Sequence, residues 1–280
     1  MTTPLTLRPV PPATAPTHHP PPQESAIAPW KFGYSESKDG AQANLLVLLH
    51  GLGDTCAPFL QLGKQLSLPG TCVLSLQAPF PVPLMDAPSY TWQPLSPSDF
   101  LTDEPLTTSL EAITKHTIPL FRALLRYLTT SLRWPLERIH LFGWAQGGTV
   151  ALELARDIGV RGLEDAQDQR HHRRPGSVTS ICGALLSAPP LGAALSLSTP
   201  VFYLTRQPRD ASSALLRRTF TGDATTVCVR AEKGGMDMPR GEEEWGQVMR
   251  FWSGVLARPG DAQWMRNAGG VEGDVYEVVR

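Results

Sequence analysis

The stretch Arg138-Ile139-His140-Leu141-Phe142-Gly143-Trp144-Ala145-Gln146-Gly147-Gly148-Thr149-Val150-Ala151 decides the fold. Its first part, Ile139 to Phe142, is short and mostly apolar, as suits a buried strand. The run breaks at Gly143. After Gly147 and Gly148 the pattern becomes helical, with Val150, Ala151, Leu154 and Ala155 on one face. Glycines two before and two after Ala145 let a strand and a helix approach closely at a corner whose central residue has a strained backbone. A corner of this kind presents its central side chain at the end of a sheet, where a nucleophile can act. Here the centre is Ala145, and a methyl group has no lone pair to attack with.

Upstream, residues 44–49 (Leu45-Leu46-Val47-Leu48-Leu49 after Asn44) form a continuous apolar run, the mark of a central parallel strand. It ends in His50-Gly51-Leu52-Gly53-Asp54-Thr55, a turn whose glycines allow backbone N–H groups to point at a bound oxygen. A helix is expected over 56–66 and a strand over 72–76, with an earlier strand at 30–34. Residues 78–105, rich in Pro, Ser and aromatics, read as a long loop, which is usually functional or mobile. Residues 107–132 read as one long helix with Leu110, Ile113, Ile118, Phe121, Leu124, Leu125 and Leu128 on a broad face, kinked or broken at Pro119. Downstream, strands are expected over 179–187, 201–204 and 225–230, and a last helix over 241–257. The 162–177 segment, with its basic cluster Arg170-His171-His172-Arg173-Arg174, reads as a solvated surface insertion. Strands alternating with helices predict an α/β fold with a mostly parallel central sheet covered on both faces. One domain is expected over 30–257. A Pro-rich leader over 1–29, with few large apolar residues, should be disordered, and a Gly-rich tail over 258–280 loosely ordered.

Acyl transfer at such a corner needs a nucleophile, a base, a group that orients the base, and donors for the developing oxyanion. The turn at 50–54 suits the first donor, the N–H of Leu52, and the N–H of Gln146 suits the second. Three pieces, His50 to Thr55, Ala87-Pro88-Ser89-Tyr90-Thr91-Trp92, and Pro135 to Gly148, resemble the acyl-protein thioesterase and phospholipase/carboxylesterase branch of the α/β-hydrolases. That family reads H-G-L-G-D-x at the first site and G-F-S-Q-G-G at the corner. The resemblance, which covers roughly residues 44–257, implies an α/β-hydrolase fold that cleaves carboxylic esters and thioesters without a cofactor. It also implies an acyl channel lined from the long loop, with Met85 and Trp92 the matching residues.

The departures carry more weight than the matches. The family serine falls on Ala145. The family acid falls in Arg206-Gln207-Pro208-Arg209-Asp210-Ala211, where Asp210 alone is suitable, and the family histidine falls in Gly234-Gly235-Met236-Asp237-Met238-Pro239, with Asp237 near its place. Nucleophile, acid and base follow one another in that order along this fold, and no histidine follows His172. Shifting the alignment therefore cannot supply a base. Removing the nucleophile or base of a serine hydrolase lowers kcat by on the order of 10⁶, leaving roughly 10³–10⁴ over water from the oxyanion donors and binding. The reading is a catalytically degenerate hydrolase whose His50, Gly51, Leu52, Gly53, Asp54, Trp92 and Gln146 form a site for an acyl or small carboxyl ligand, with a protein partner as the other candidate. An active ester or thioester hydrolase with a non-standard site is the alternative, its candidates being Asp237, the pair Asp210 and Asp237, or Cys56. On sequence alone, Ala145→Ser with Asp237→His should restore part of the hydrolysis.

Composition narrows the classes further. A net charge of −1 gives no electrostatic basis for binding nucleic acid. No apolar run approaches the roughly 20 residues of a membrane span. The four cysteines (Cys56, Cys72, Cys182, Cys228) are scattered and lack a C-x-x-C pair, which fits reduced thiols in a cytoplasmic protein. The pair His18-His19 has no companion ligands at a useful spacing, so no metal site is expected, and it reads as part of a solvated leader.

Overall fold

The computed structural model describes residues 6–9, 19–101, 106–163, 174–188, 197–207, 211–221, 225–230, 235–257 and 276–279. Its centre is the strand read first from the apolar run, β3 (Asn44–Leu49), all six residues of which are buried. Because side chains alternate across a strand, Leu45, Val47 and Leu49 enter one core while Leu46 and Leu48 enter another. The first core is closed by α3 (Ile118–Arg126), α4 (Gln146–Arg161) and α5 (Ala211–Thr219), the second by α1 (Cys56–Leu66) and α6 (Gly241–Val255). Helices thus cover both faces, as the alternating pattern predicts.

The other strands of the sheet are β2 (Phe32–Ser35), β4 (Thr71–Leu76), β7 (Ile139–Trp144), β8 (Ser177–Ile181), β9 (Val201–Thr205) and β10 (Thr225–Val229). Their order is β10-β9-β8-β7-β3-β4-β2, parallel throughout except for β2 at the edge. The chain runs from β3 outward to β4, then returns to lay β7 on the other side of β3. Adjacent carboxyl ends of β3 and β7 therefore form a topological switch point, the usual seat of a ligand in open α/β sheets. Both sequence motifs sit there.

Two expectations shift at the edges. The strand expected over 179–187 occupies Ser177–Ile181, because Cys182 turns the chain with φ 57°. Residues 186–187 are instead bound by the buried Glu153 carboxylate of α4, which accepts from the Leu186 and Ser187 N–H groups at 2.7 and 2.9 Å. The helix expected over 107–132 begins with α2 (Leu110–Ala112), passes through a π-turn at Ile113–Thr117, and continues as α3 and a second π-turn at Tyr127–Ser131. Pro119 lies in the first turn of α3, where its missing N–H leaves the ladder wide rather than broken.

The leader boundary also moves. His19 is buried, its ring stacked on Trp134 with centroids 3.8 Å apart. Its Nδ1 donates to the Leu132 carbonyl at 2.8 Å, and its backbone N–H donates to Gln42 Oε1 at 2.6 Å. Ile27 is buried too. Composition averaged over the leader hides these two anchors, and residues 19–29 belong to the folded domain. Earlier residues, and the tail from 258, lie outside the described residues except for the backbones of β1 (Thr6–Pro9) and β11 (Tyr276–Val279), which pair antiparallel. Most of the 162–177 insertion also lies outside them. Among the described residues, no helix is long and apolar enough to cross a membrane.

Candidate active site at the switch point

Ala145 forms the corner between β7 and α4, with φ 49° and ψ −117°. A positive φ at a non-glycine residue stores on the order of 1–3 kcal/mol and persists only where its surroundings impose it. Here the Ala145 N–H donates to the Ile181 carbonyl at 2.8 Å, and its carbonyl accepts from Thr149 N–H at 3.1 Å. The glycines that flank the corner allow the close approach. A Cβ on Gly147 would collide with the backbone carbonyls of Leu49 and His50, so the start of α4 rests directly on the end of β3. A Cβ on Gly143 would collide with Gly147 itself. The corner and the 50–54 turn are thereby packed against each other, and the strained conformation remains although the side chain that would use it is a methyl.

The turn is wired through His50, which is fully buried. Its Nε2 receives the Ala78 N–H at 3.0 Å, so this nitrogen is the acceptor; Nδ1 then carries the proton and donates to the Gly51 carbonyl at 2.7 Å. Burial lowers the His50 pKa, keeping the ring neutral. With both nitrogens engaged, His50 holds the turn. Gly53 N–H donates to the Tyr90 carbonyl at 2.9 Å, and Asp54 Oδ1 accepts Thr55 N–H at 2.7 Å, which fixes the far side of the turn. Leu52 remains 37% exposed.

The long loop is tied down over its described part. A short hairpin, β5 (Phe80–Pro81) with β6 (Tyr90–Thr91), places Trp92 beside the turn. Gln146 Oε1 accepts from Trp92 N–H at 2.9 Å and from Thr91 Oγ1 at 3.0 Å, while Trp92 Nε1 donates to the His50 carbonyl at 2.7 Å. Thr117 Oγ1 donates to the Trp92 carbonyl. Trp92 is therefore a fully buried brace between turn and corner, a correction to its expected place lining an acyl channel. Met85, by contrast, is 54% exposed. Gln146→Ala should leave two buried donors unanswered and reduce stability in urea unfolding by about 1–3 kcal/mol. An unchanged transition would show that water replaces the amide.

Of the expected acid and base positions, Asp210 lies outside the described residues. Asp237 is described. Its carboxylate pairs with Arg240 at 2.9 Å, both side chains well exposed. The loop that carries it is held to the corner by Trp144, whose Nε1 donates to the Met236 carbonyl. Cys56, the thiol candidate, has its pKa raised by burial, which removes thiolate character. Among the described residues, no group of His, Cys, Asp and Glu side chains could hold a metal ion.

Sequence reasoning passes over the most buried charges at this edge. Arg206, immediately after β9, and Glu244, in the first turn of α6, form an ion pair with the two side chains 1% and 0% exposed. Arg206 Nη1 donates to Glu244 Oε1 at 2.6 Å, and Nη2 donates to Oε2 at 2.9 Å. The same Nη2 reaches the carbonyls of Met238 at 3.2 Å and Asp237 at 3.4 Å. Hydrogen bonding to Glu244 raises the Arg206 pKa further above its already high value. The two residues are 38 apart in sequence, beyond the reach of any local pattern.

A parallel sheet with a strained strand-to-helix corner at its switch point, facing a glycine turn, defines an α/β-hydrolase. Within that class the chain belongs to the phospholipase/carboxylesterase family, whose sequence pattern matches residues 35–158, the segment holding both turn and corner. An uncharacterised hydrolase of Mycosarcoma maydis is 33% identical over 230 residues, which is 79% of this chain and 80% of that protein. An uncharacterised hydrolase of Schizosaccharomyces pombe is 28% identical over 220 residues, 75% of this chain and 82% of that protein. Among solved structures, esterase PE8 superimposes with a TM-score of 0.62 at 18% identity, covering 81% of this chain and 99% of its own. The acyl-protein thioesterase 2 of Zea mays gives 0.54 at 17% identity with the same coverages. At these identities the two structures testify to the fold.

Proposed function

We propose that this chain is a non-hydrolytic member of the carboxylesterase and thioesterase family that uses the switch-point site to bind. The ligand is an acyl compound or small carboxylate, its oxygen held by the Leu52 and Gln146 N–H groups, neither of which donates to another described residue. The observation that carries the reading is Ala145 at the strained tip, with no histidine after His172 and with both ring nitrogens of His50 already engaged. The alternative of a non-standard catalytic residue gains nothing from an ion-paired Asp237 or a protonated Cys56 thiol. All four cysteines are free, in keeping with the cytoplasmic location that belongs to this proposal.

A fluorophosphonate, which reacts with activated serines, is expected to leave the full chain unlabelled under conditions that label an active carboxylesterase completely. Hydrolysis of p-nitrophenyl butyrate should not exceed that of an unrelated protein at equal concentration. Labelling of any serine, or ester turnover abolished by mutating Asp237 or Cys56, would sink the proposal.

A further inference from the structure

In a serine hydrolase of this fold, the acid arises after the strand at the β9 position, the base arises before the last helix, and the two must touch. Here the same two segments are joined, by different chemistry. Arg206 stands at the start of the first segment, and its guanidinium grips Glu244 and the main chain of the second at Asp237 and Met238. Glu244 Oε2 also accepts the Arg240 N–H at 2.7 Å, and the Trp144 indole holds the Met236 carbonyl. Four of the five residues from 236 to 240 are thus tied through their backbones to one buried ion pair and to the residue before the corner.

We infer that Arg206 is a positioning residue that locks the segment carrying Asp237 in an arrangement incompatible with a serine–histidine relay, so that the hydrolytic machinery is blocked beyond its two missing side chains. This inference rests on the binding-only reading above. Its physical reason lies in donor and acceptor counting. A relay imidazole must give its Nδ1 proton to an acceptor while Nε2 faces the nucleophile. Among the described residues, the polar side chain that reaches residue 237 from the β9 side is the Arg206 guanidinium, which has five N–H donors and no acceptor and grips the residue's main-chain carbonyl. A histidine introduced at 237 is offered no acceptor by Arg206. Its backbone would also be held by Arg206 and unable to swing toward the corner. The expectation that Ala145→Ser with Asp237→His restores hydrolysis is revised accordingly.

The test compares full-length variants that all carry Ala145→Ser, reading the rate of covalent labelling by a fluorophosphonate. Adding Asp237→His to Ala145→Ser should change that rate by less than about 3-fold, against the 10²–10⁴-fold that general-base assistance supplies. Replacing the ion pair as a unit, Arg206→Met with Glu244→Met, avoids leaving a single buried charge and should preserve the fold. In that background, adding Asp237→His should accelerate labelling by at least about 30-fold, the lower part of the general-base range. A gain of that size with the ion pair intact, or none once it is removed, overturns the inference. Should the unclamped protein not fold, the clamped variants still decide. Ring-nitrogen NMR shifts of the introduced imidazole should be the same with and without Ala145→Ser, and a shift of Nε2 on adding the serine overturns the lock. Labelling of the unmutated chain would sink the binding-only reading, yet the comparison among serine-bearing variants would still judge the lock on its own.

Discussion

Gly147→Ala is expected to destabilise the protein by about 1–2 kcal/mol net, although alanine is the better helix former. Gly147 lies in the first turn of α4, and helix propensity alone favours the substitution by about 1 kcal/mol. Packing opposes it. The new methyl would stand 2.5 Å from the Leu49 carbonyl oxygen and press on that of His50, both main-chain atoms of a fully buried strand end. Backbone there cannot yield by a rotamer change, so α4 must lift from β3, and overpacking of this kind costs about 1–3 kcal/mol or more. The displaced carbonyls include the one that receives the Trp92 indole, so the brace between turn and corner is disturbed as well. Gly246 in α6 is the control, since a Cβ there meets nothing within 4 Å. Gly246→Ala should raise stability by about 0.5–1 kcal/mol. Urea unfolding of both variants separates the effects. Equal small gains would mean that the corner is not close-packed as described.

That contrast shows what a sequence can disclose about this site. Gly143, Gly147 and the apolar runs on either side are local features, and local features fix a strand, a corner and a helix in succession. The turn at 50–54 is legible for the same reason, because a fully apolar strand must end where its glycines begin. The roles of individual side chains within the site are less so. Trp92 has the composition of a channel lining, and only the partners of its N–H groups, Gln146 and His50, reveal a brace. Nothing in the sequence marks Arg206 and Glu244 as buried, because charges are seldom fully buried unless paired. Their pairing joins the end of β9 to α6, a tertiary event without a periodic trace. His19 and Ile27 escape notice similarly, as two anchors in an otherwise polar leader.

Acid should unfold this protein through its sheet, and His140 should be the main histidine responsible. His140 lies on β7 with no exposed surface, and burial, reinforced by Arg138, depresses its pKa to about 3 from an ordinary 6.5. Its hydrogen bonds fix the neutral tautomer. Asn44 Oδ1 accepts the Ala257 N–H at 3.0 Å, which identifies that atom as the oxygen. His140 Nε2 therefore donates to it at 3.3 Å, and Nδ1 accepts from Ser177 Oγ at 2.9 Å. The folded state stays unprotonated where the unfolded chain takes up a proton. The stabilisation is complete above pH 6.5 and is lost progressively as pH falls toward 3. By pH 4.5 it should have declined by about 3 kcal/mol relative to pH 7.5. His50, whose pKa is also lowered by burial, adds to the loss in the same direction. His140→Gln can offer one donor and one acceptor to the same neighbours without titrating, so its stability should fall by about 3 kcal/mol less over that interval. Parallel pH profiles for the two proteins would show that the ring is not held neutral by the fold. The expected profile would place the acid sensitivity in the Asn44–His140–Ser177 link across the amino ends of β3, β7 and β8, at the opposite end of these strands from the switch point.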